Sequence, residues 1–433
     1  MTSSNEFNRY LGGIGQALST RNFRVYWYGH LFSAHGVWIF MITSQWLMFH
    51  LTRSPAWLGA AGFAYLAPLF FLGPLAGAIS DRYGHRRIGI TAVSLGVLMA
   101  LLTALTIVTD NLTPLLLLIL TIVQGIFMSF DFPARQALIP YLIDRKNLSA
   151  AIGMNWTTFN VAAFIGPVIG GSILSFGNST YGEPIGAALS YTVVSLAHCC
   201  MVLGIAKVKL KHTLPVTKQP APLFSGVLRD IRAGFSYIIN NSHLKIIMIL
   251  SITIALCLRP YQSLMAGFAK AVFQLDEQGL GNLLAASGIG ALCTALIFAV
   301  RGKTSGLTRV YVYAALLASS ALLLFVSNTL FPLALVNVIF VGGLIVASDI
   351  SAQTLIQNMI LDQYRARVIS VTLAVSVGAS AFGSLAIGWL GEFVGLRFAL
   401  GAAAVTAIII FILLGRPLLP HASEIETETD NSQ

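Results

Sequence analysis

Charge is what this chain has least of. Only 10% of its 433 residues are Asp, Glu, Lys or Arg, while 56% are apolar. A soluble domain carries about 25% charged residues, so a surface that faces water all round is excluded. Cysteine is scarce as well. Cys199, Cys200, Cys257 and Cys293 fall in apolar stretches without metal-ligand spacing, which indicates neither a disulfide framework nor a zinc site. No Gly-x-x-x-x-Gly-Lys-(Ser/Thr) loop is present to cradle a nucleotide phosphate. No nucleophile–base constellation and no interfacial cluster of His, Asp or Glu is present either, so neither an enzyme nor a cofactor is expected. No Ala-x-Ala site follows a short apolar N-terminal stretch, and the first apolar run is expected to be retained rather than cleaved.

What fills the chain is apolar runs of spanning length, each needing roughly 20 helical residues to cross a hydrocarbon core. They fall at roughly 24–51, 56–79, 88–109, 114–134, 149–177, 185–206, 244–273, 279–300, 309–329, 331–359, 368–394 and 397–418. The expected fold is an all-α membrane protein of twelve transmembrane helices. The net charge of +10 is unevenly placed. With a cytoplasmic N-terminus, the leader and even loops hold Arg9, Arg21, Arg24, Arg82, Arg86, Arg87, Arg135, Arg145, Lys146, Lys207, Lys209, Lys211, Lys218, Arg229, Arg232, Arg301, Lys303, Arg365 and Arg367. The other side keeps Arg53, Lys270 and Arg397. Such a bias in short loops orients both termini to the cytoplasm. The positive charge then meets anionic lipid, and no nucleic-acid partner is implied.

The expected organisation is a six-helix bundle over 1–206, a cytoplasmic linker over 207–242, a second bundle over 243–418 and a disordered tail over 419–433. The linker carries Pro215, Pro220 and Pro222. Val227, Ile231, Phe235, Ile238 and Ile239 then recur at helical spacing, which predicts an amphipathic helix on the membrane face. The tail holds Glu424, Glu426, Glu428 and Asp430. The two bundles repeat one another. A shift of 218 residues sets Gly125 on Gly343, Asp131 on Asp349, Ala134 on Ala352, Asp144 on Asp362 and Gly170 on Gly388. Small-residue matches are cheap in a membrane protein; two aspartates in register are not. Paired repeats that rock about a central site are a route to alternating access.

Three motifs stand out. Gly77-x-x-x-Asp81-Arg82-x-Gly84-x-Arg86-Arg87 lies between the second and third runs, with glycines for close approach and a sharp turn and Asp81 able to latch a gate. Gly166-Pro167-Val168-Ile169-Gly170-Gly171 gives the fifth run a close-packing face and a kink. Phe130-Asp131-Phe132-Pro133-Ala134-Arg135 closes the fourth. The first motif resembles the signature of the major facilitator superfamily, with His85 where an Arg is usual. The second is similar to the later part of that family's antiporter signature, with Thr157 at its earlier glycine. The third, with the run from Asn155 to Gly171, Asn22-Phe23-Arg24, Leu51-Thr-Arg-Ser54-Pro55 and Arg365-Ala-Arg367-Val368, is similar to the branch containing the enterobactin exporter and macrolide efflux proteins. Together they cover about residues 20 to 416. Many drug:proton antiporters carry an Arg three residues before a Gln-Gly pair; this chain keeps Gln124-Gly125 with Thr121 at the Arg position.

Charged residues inside a membrane cost about 2.5–3.5 kcal/mol on insertion scales and are functional candidates by default. Arg259, beside Pro260, could hold an anionic group of the cargo or pair with an acidic residue. Asp131 and Asp349 could exchange protons or latch a gate, Asp131 with Arg135. In the family the first, fourth, seventh and tenth helices line the cavity. That resemblance brings His30, Ser33, His35, Trp38 and Gln45 to it, while Trp27, Trp46 and His50 are expected to be interfacial anchors, as amphipathic rings near the ends of a span are. Gln262, Asn337, Gln353 and Gln357 are expected to touch cargo or to bond between helices. The resemblance implies a monomeric, proton-coupled exporter in the bacterial cytoplasmic membrane. Its small-molecule cargo would be a siderophore first and a drug-like compound second. Uptake is the alternative.

Overall fold

The computed structural model describes residues 12–209, 223–301 and 303–427. Arg9, Lys211, Lys218, the three linker prolines, Glu428 and Asp430 lie outside them, as does the side chain of Val227. Among the described residues the protein is helical throughout, with no strand. Eleven helices are long and apolar enough to cross a membrane: Pro55–Tyr83, His85–Val108, Pro114–Tyr141, Arg145–Tyr181, Ile185–Lys207, Ser242–Val272, Glu277–Arg301, Leu307–Ser327, Phe331–Asn358, Asp362–Val394 and Leu396–Glu426. Ahead of them runs Arg21–Thr52, a 32-residue helix whose His30, His35, Gln45 and His50 dilute its apolar character. Counting it gives the twelve spans expected, numbered here in chain order.

Breaks between spans have local causes. Gly84 turns the chain at φ 94°, in the region that favours glycine. Thr113 caps the fourth span, its side chain accepting the Leu116 N–H at 3.2 Å, and Pro114 follows at the first turn, where its missing N–H costs nothing. In the seventh span Pro260 lacks an N–H, and the backbone widens on both sides of it into π-helical turns, Ile254–Leu258 and Phe268–Val272. The Arg259 N–H reaches back five residues to the Ile254 carbonyl, 3.1 Å. Such turns mark where a helix has been locally re-registered.

The chain forms two compact units, one of residues 1–43 and 72–221, the other of residues 44–71 and 222–433. Unit 1 is centred on Phe23, Tyr26, Val93, Leu138, Leu142, Met201 and Ile205, all buried. In unit 2 the eighth and tenth spans approach closely at the backbone, where Gly290, Gly342 and Gly343 leave room for main-chain contact. Unit 2 also packs the segment 55–71 along the eleventh span. A Cβ on Gly59 would stand 2.3 Å from the Ser384 carbonyl oxygen, and Phe63 meets Phe382 edge-on at 5.3 Å. Large apolar side chains such as Leu105, Leu203, Val300 and Phe398 point outward, as lipid-facing side chains do.

The opening of the tail departs from expectation. Arg416–His421 and Ala422–Glu426 are helical, with Leu418 and Ile425 fully buried. Glu426 Oε1 accepts the Thr308 N–H at 2.9 Å, and Oε2 accepts the Gly306 N–H. A carboxylate at the start of the ninth span answers N–H groups that the helix itself leaves unpaired.

Candidate functional site

Within unit 1 the first, fourth and fifth spans enclose a pocket whose charged member is Arg135. Asp131 and Arg135 stand one turn apart on the fourth span and pair at 2.5 Å, with side chains 7% and 9% exposed. Arg135 Nη1 donates to Ser33 Oγ at 3.3 Å. The second carboxylate oxygen of Asp131, Oδ1, has no hydrogen-bond partner among the described residues. Phe132 and Trp156 line the pocket and meet edge-on at 6.5 Å; Phe159 and Met128 continue its apolar lining. Tyr26 stacks parallel to His30 at 6.2 Å, and His30 Nε2 contacts the Asn155 carbonyl at 3.2 Å. His30 Nδ1 and Asn155 Oδ1 are also unpartnered among the described residues. The lining, apolar and aromatic with a few convergent polar groups, is of the kind found in small-molecule sites, while the space it leaves is small, about 30 Å³, and half open.

The fifth span is held against the first by the glycines of the Gly166-to-Gly171 motif. A Cβ on Gly166 would lie 2.6 Å from Trp38 Cβ, and one on Gly170 2.5 Å from Ile42 Cγ2. Pro167 is buried inside the same helix. Trp38 is packed on Phe159 at 5.8 Å, and His35 Nδ1 is occupied by the Leu31 carbonyl at 2.8 Å. Thr121 Oγ1 donates to the Leu117 carbonyl of its own helix at 2.8 Å and supplies no cation where Arg is usual.

In unit 2 Arg259 pairs with Asp349, its Nη2 2.7 Å from Oδ2. About a third of each side chain stays accessible, 36% and 35%, so the pair is open where its counterpart in unit 1 is closed. Next to it the Tyr261 hydroxyl bonds to Ser287 Oγ, and Gln262 Nε2 donates to that hydroxyl at 3.4 Å. Gln353 and Gln357 are exposed, Asn337 is half-buried and Gln45 is buried with Oε1 unpartnered among the described residues. Trp46 is no interfacial anchor: it is 4% exposed and carries the Lys270 ammonium 4.9 Å above its ring.

The Gly77-to-Arg87 motif works locally in unit 1. Asp81 lies 3.5 Å from His85 Nε2, and Ser80 Oγ meets His85 Nδ1 at 2.8 Å. Arg86 donates to the Ile205 and Ala206 carbonyls at 3.2 and 2.5 Å, closing the C-terminus of the sixth span. Arg82 lies 5.7 Å from the Tyr83 ring. Gly77 does not serve close approach, since a Cβ there would meet nothing within 4 Å.

Tyr26 carries no signal of its own in the sequence, and Asn155, Trp156 and Phe159 enter it only as part of the run from Asn155 to Gly171, not as site residues, although Asn155 and Phe159 share a helix face at a spacing of four. Glu392 is another residue with no motif. Its Oε2 accepts Ser54 Oγ at 2.6 Å and the Ala56 N–H at 3.2 Å, capping the second span.

Comparison with known proteins agrees with this architecture. A family model described as transmembrane secretion effector matches residues 16–432. A staphyloferrin A transporter of Staphylococcus aureus is 24% identical over 387 residues, 88% of this chain and 94% of that protein. The multidrug efflux pump Tap of Mycolicibacterium fortuitum is 22% identical over 394 residues, 90% of this chain and 93% of the pump. Among solved structures, a bacterial homologue of the human lysosomal transporter Spinster superposes with a TM-score of 0.70 at 15% identity, covering 92% of this chain and 97% of that one. A D-xylose–proton symporter superposes at 0.69 and 13% identity, covering 92% and 98%. With twelve spanning helices among the described residues, the major facilitator fold and a family match over residues 16–432, the chain belongs to the transmembrane secretion effector family, efflux-branch transporters of the major facilitator superfamily and not enzymes.

Proposed function

We propose that the protein is a secondary active exporter of an amphipathic small molecule, exchanging it for protons across the bacterial cytoplasmic membrane by alternating access. The observation that carries this reading is the pocket of unit 1, where aromatic walls meet Arg135, itself paired with the buried Asp131. An ion pair is neutral overall, whereas a lone charge inside a membrane is expensive. A proton taken by Asp131 would cut its tie to Arg135 and leave the pocket cationic. Cargo without negative charge then binds better to the deprotonated pocket, which is the condition for exchange against protons. Arg259 and Asp349 give the second repeat an accessible pair that can take polar groups of the cargo. Both termini are taken as cytoplasmic and the protein as a monomer.

A siderophore is the first cargo to test, in keeping with the similarity to a staphyloferrin A transporter, and a drug-like compound the second, in keeping with Tap. Uptake is the rival because the same charge logic runs both ways. Cargo bearing a negative charge would bind better to the protonated pocket and travel with the proton.

The test is a deletion strain grown in iron-poor medium, with siderophore measured in cells and supernatant. Export predicts less outside and more inside, restored by the wild type and not by Arg259→Ala. Unchanged secretion would remove the siderophore reading and leave drug efflux or uptake.

A further inference from the structure

The linker helix Leu223–Asn240 turns three unlike faces outward over residues 229–240. One packs on the eleventh span, Asp362–Val394. Gly234 comes so close that a Cβ would stand 2.9 Å from the Arg367 carbonyl oxygen. Asp230 Oδ1 takes the Arg367 Nε–H at 2.9 Å, and Tyr237 stacks on Tyr364 at 4.7 Å. The Tyr237 hydroxyl donates to the Met359 carbonyl at 3.3 Å. The second face carries Ile231, Phe235 and Ile239 at a spacing of four, exposed to 39%, 52% and 47%. The third carries Arg229, Arg232, Ser236 and Asn240, all exposed.

At 100° per residue the three faces lie roughly a third of a turn apart. A helix lying in water against a protein needs two faces, one buried and one polar. A third, apolar face between them fits a helix lying at a bilayer edge, with protein beside it, acyl chains below and water above. Arg232 follows the stripe around the helix and Arg229 lies beyond it, so their guanidinium groups can reach headgroup phosphates while the apolar stripe stays in the chains.

We propose that this helix is seated in anionic lipid, with Ile231, Phe235 and Ile239 at the acyl boundary and Arg229 and Arg232 on lipid phosphates, tying the start of the eleventh span to membrane composition. The Asp230–Arg367 pair and the Tyr237–Tyr364 stack are the mechanical link. The proposal is independent of the cargo and of the direction of transport.

The test uses the full-length protein with an environment-sensitive fluorescent amino acid at position 235 or, separately, at position 240. Each is reconstituted in phosphatidylcholine liposomes with or without phosphatidylglycerol, and quenching by lipids brominated high on the acyl chain is recorded. The expected result is quenching at 235 at least about twofold above that at 240, rising with phosphatidylglycerol. Arg229→Gln with Arg232→Gln removes the rise; both side chains are on the exposed face, and an unchanged size-exclusion profile verifies the fold. Equal quenching at 235 and 240 overturns the proposal. So does a position 235 that is shielded from brominated lipid in a cross-linkable dimer, which would make the stripe a contact between copies.

Discussion

Replacing Gly290 by alanine would set a methyl carbon 1.9 Å from the Ile339 carbonyl oxygen and 2.8 Å from its carbon. Both are backbone atoms of the tenth span, so no rotamer can relieve the contact. The eighth and tenth spans must part by about 1 Å to reach even the shortest separation that real Cβ atoms show. Parting them also loosens the neighbouring contact of Gly342 with the Ser287 carbonyl. Overpacking of this kind costs about 1–3 kcal/mol and sometimes more. For a cooperative unit of this size each kcal/mol moves the melting temperature by about 2–4 °C, so a fall of roughly 2–12 °C is expected. Gly77→Ala is the matched control. Its added Cβ meets nothing within 4 Å, and alanine is preferred inside a helix by about 0.5–1 kcal/mol. The assay is fluorescence-monitored thermal unfolding of the purified protein in detergent. A Gly290→Ala variant melting within about 1 °C of the wild type, or no higher-melting Gly77→Ala, would refute the reasoning about helix approach.

The two aspartate–arginine pairs should respond differently to cutting. Asp131→Asn strands Arg135 in a buried place and is expected to cost about 3–5 kcal/mol. Arg259→Ala, in a pair open by about a third, is expected to cost about 1 kcal/mol or less; equal losses in melting temperature would contradict the difference in burial. Ser54→Ala removes a hydroxyl that bonds Glu392 and receives the Trp57 N–H at 3.4 Å. About 1 kcal/mol of capping should be lost, seen as faster hydrogen exchange confined to the first turn of the second span. Trp156→Ala takes away a pocket wall that is 46% exposed and should raise the cargo concentration needed for half-maximal transport with little change in melting temperature. An unchanged half-saturation would take Trp156 out of the site.

Most of the architecture was legible because length and hydropathy fix a spanning helix almost by themselves. The sixth run, read at 185–206, is the helix Ile185–Lys207, with Pro184 before it and a lysine at its end. The seventh run reads as one unbroken stretch, and nothing local tells that the backbone widens on both sides of Pro260. The repeat placed Asp131 and Asp349 in matching spans; it did not give their partners. Asp131–Arg135 is a contact of one helical turn and lies within reach of pattern reading. Arg259–Asp349 joins residues 90 apart and Ser54–Glu392 residues 338 apart, and such pairs are set by helix packing, which no short pattern encodes. The tail misled for a related reason. An acidic, polar stretch reads as solvated, yet Glu426 meets free N–H groups at the start of the ninth span and Ile425 finds cover. Gly77 misled in the other direction, since a family motif kept a glycine where no neighbour demands one.

The central claim, proton-driven exchange of an amphipathic molecule, is tested most directly in proteoliposomes of the purified protein loaded with acid buffer and diluted into alkaline buffer with labelled cargo. Exchange predicts that cargo accumulates inside the acid-loaded vesicles, that a protonophore abolishes the accumulation, and that Arg259→Ala weakens it. Accumulation only when the acid is outside, or the same uptake with no gradient at all, would contradict it.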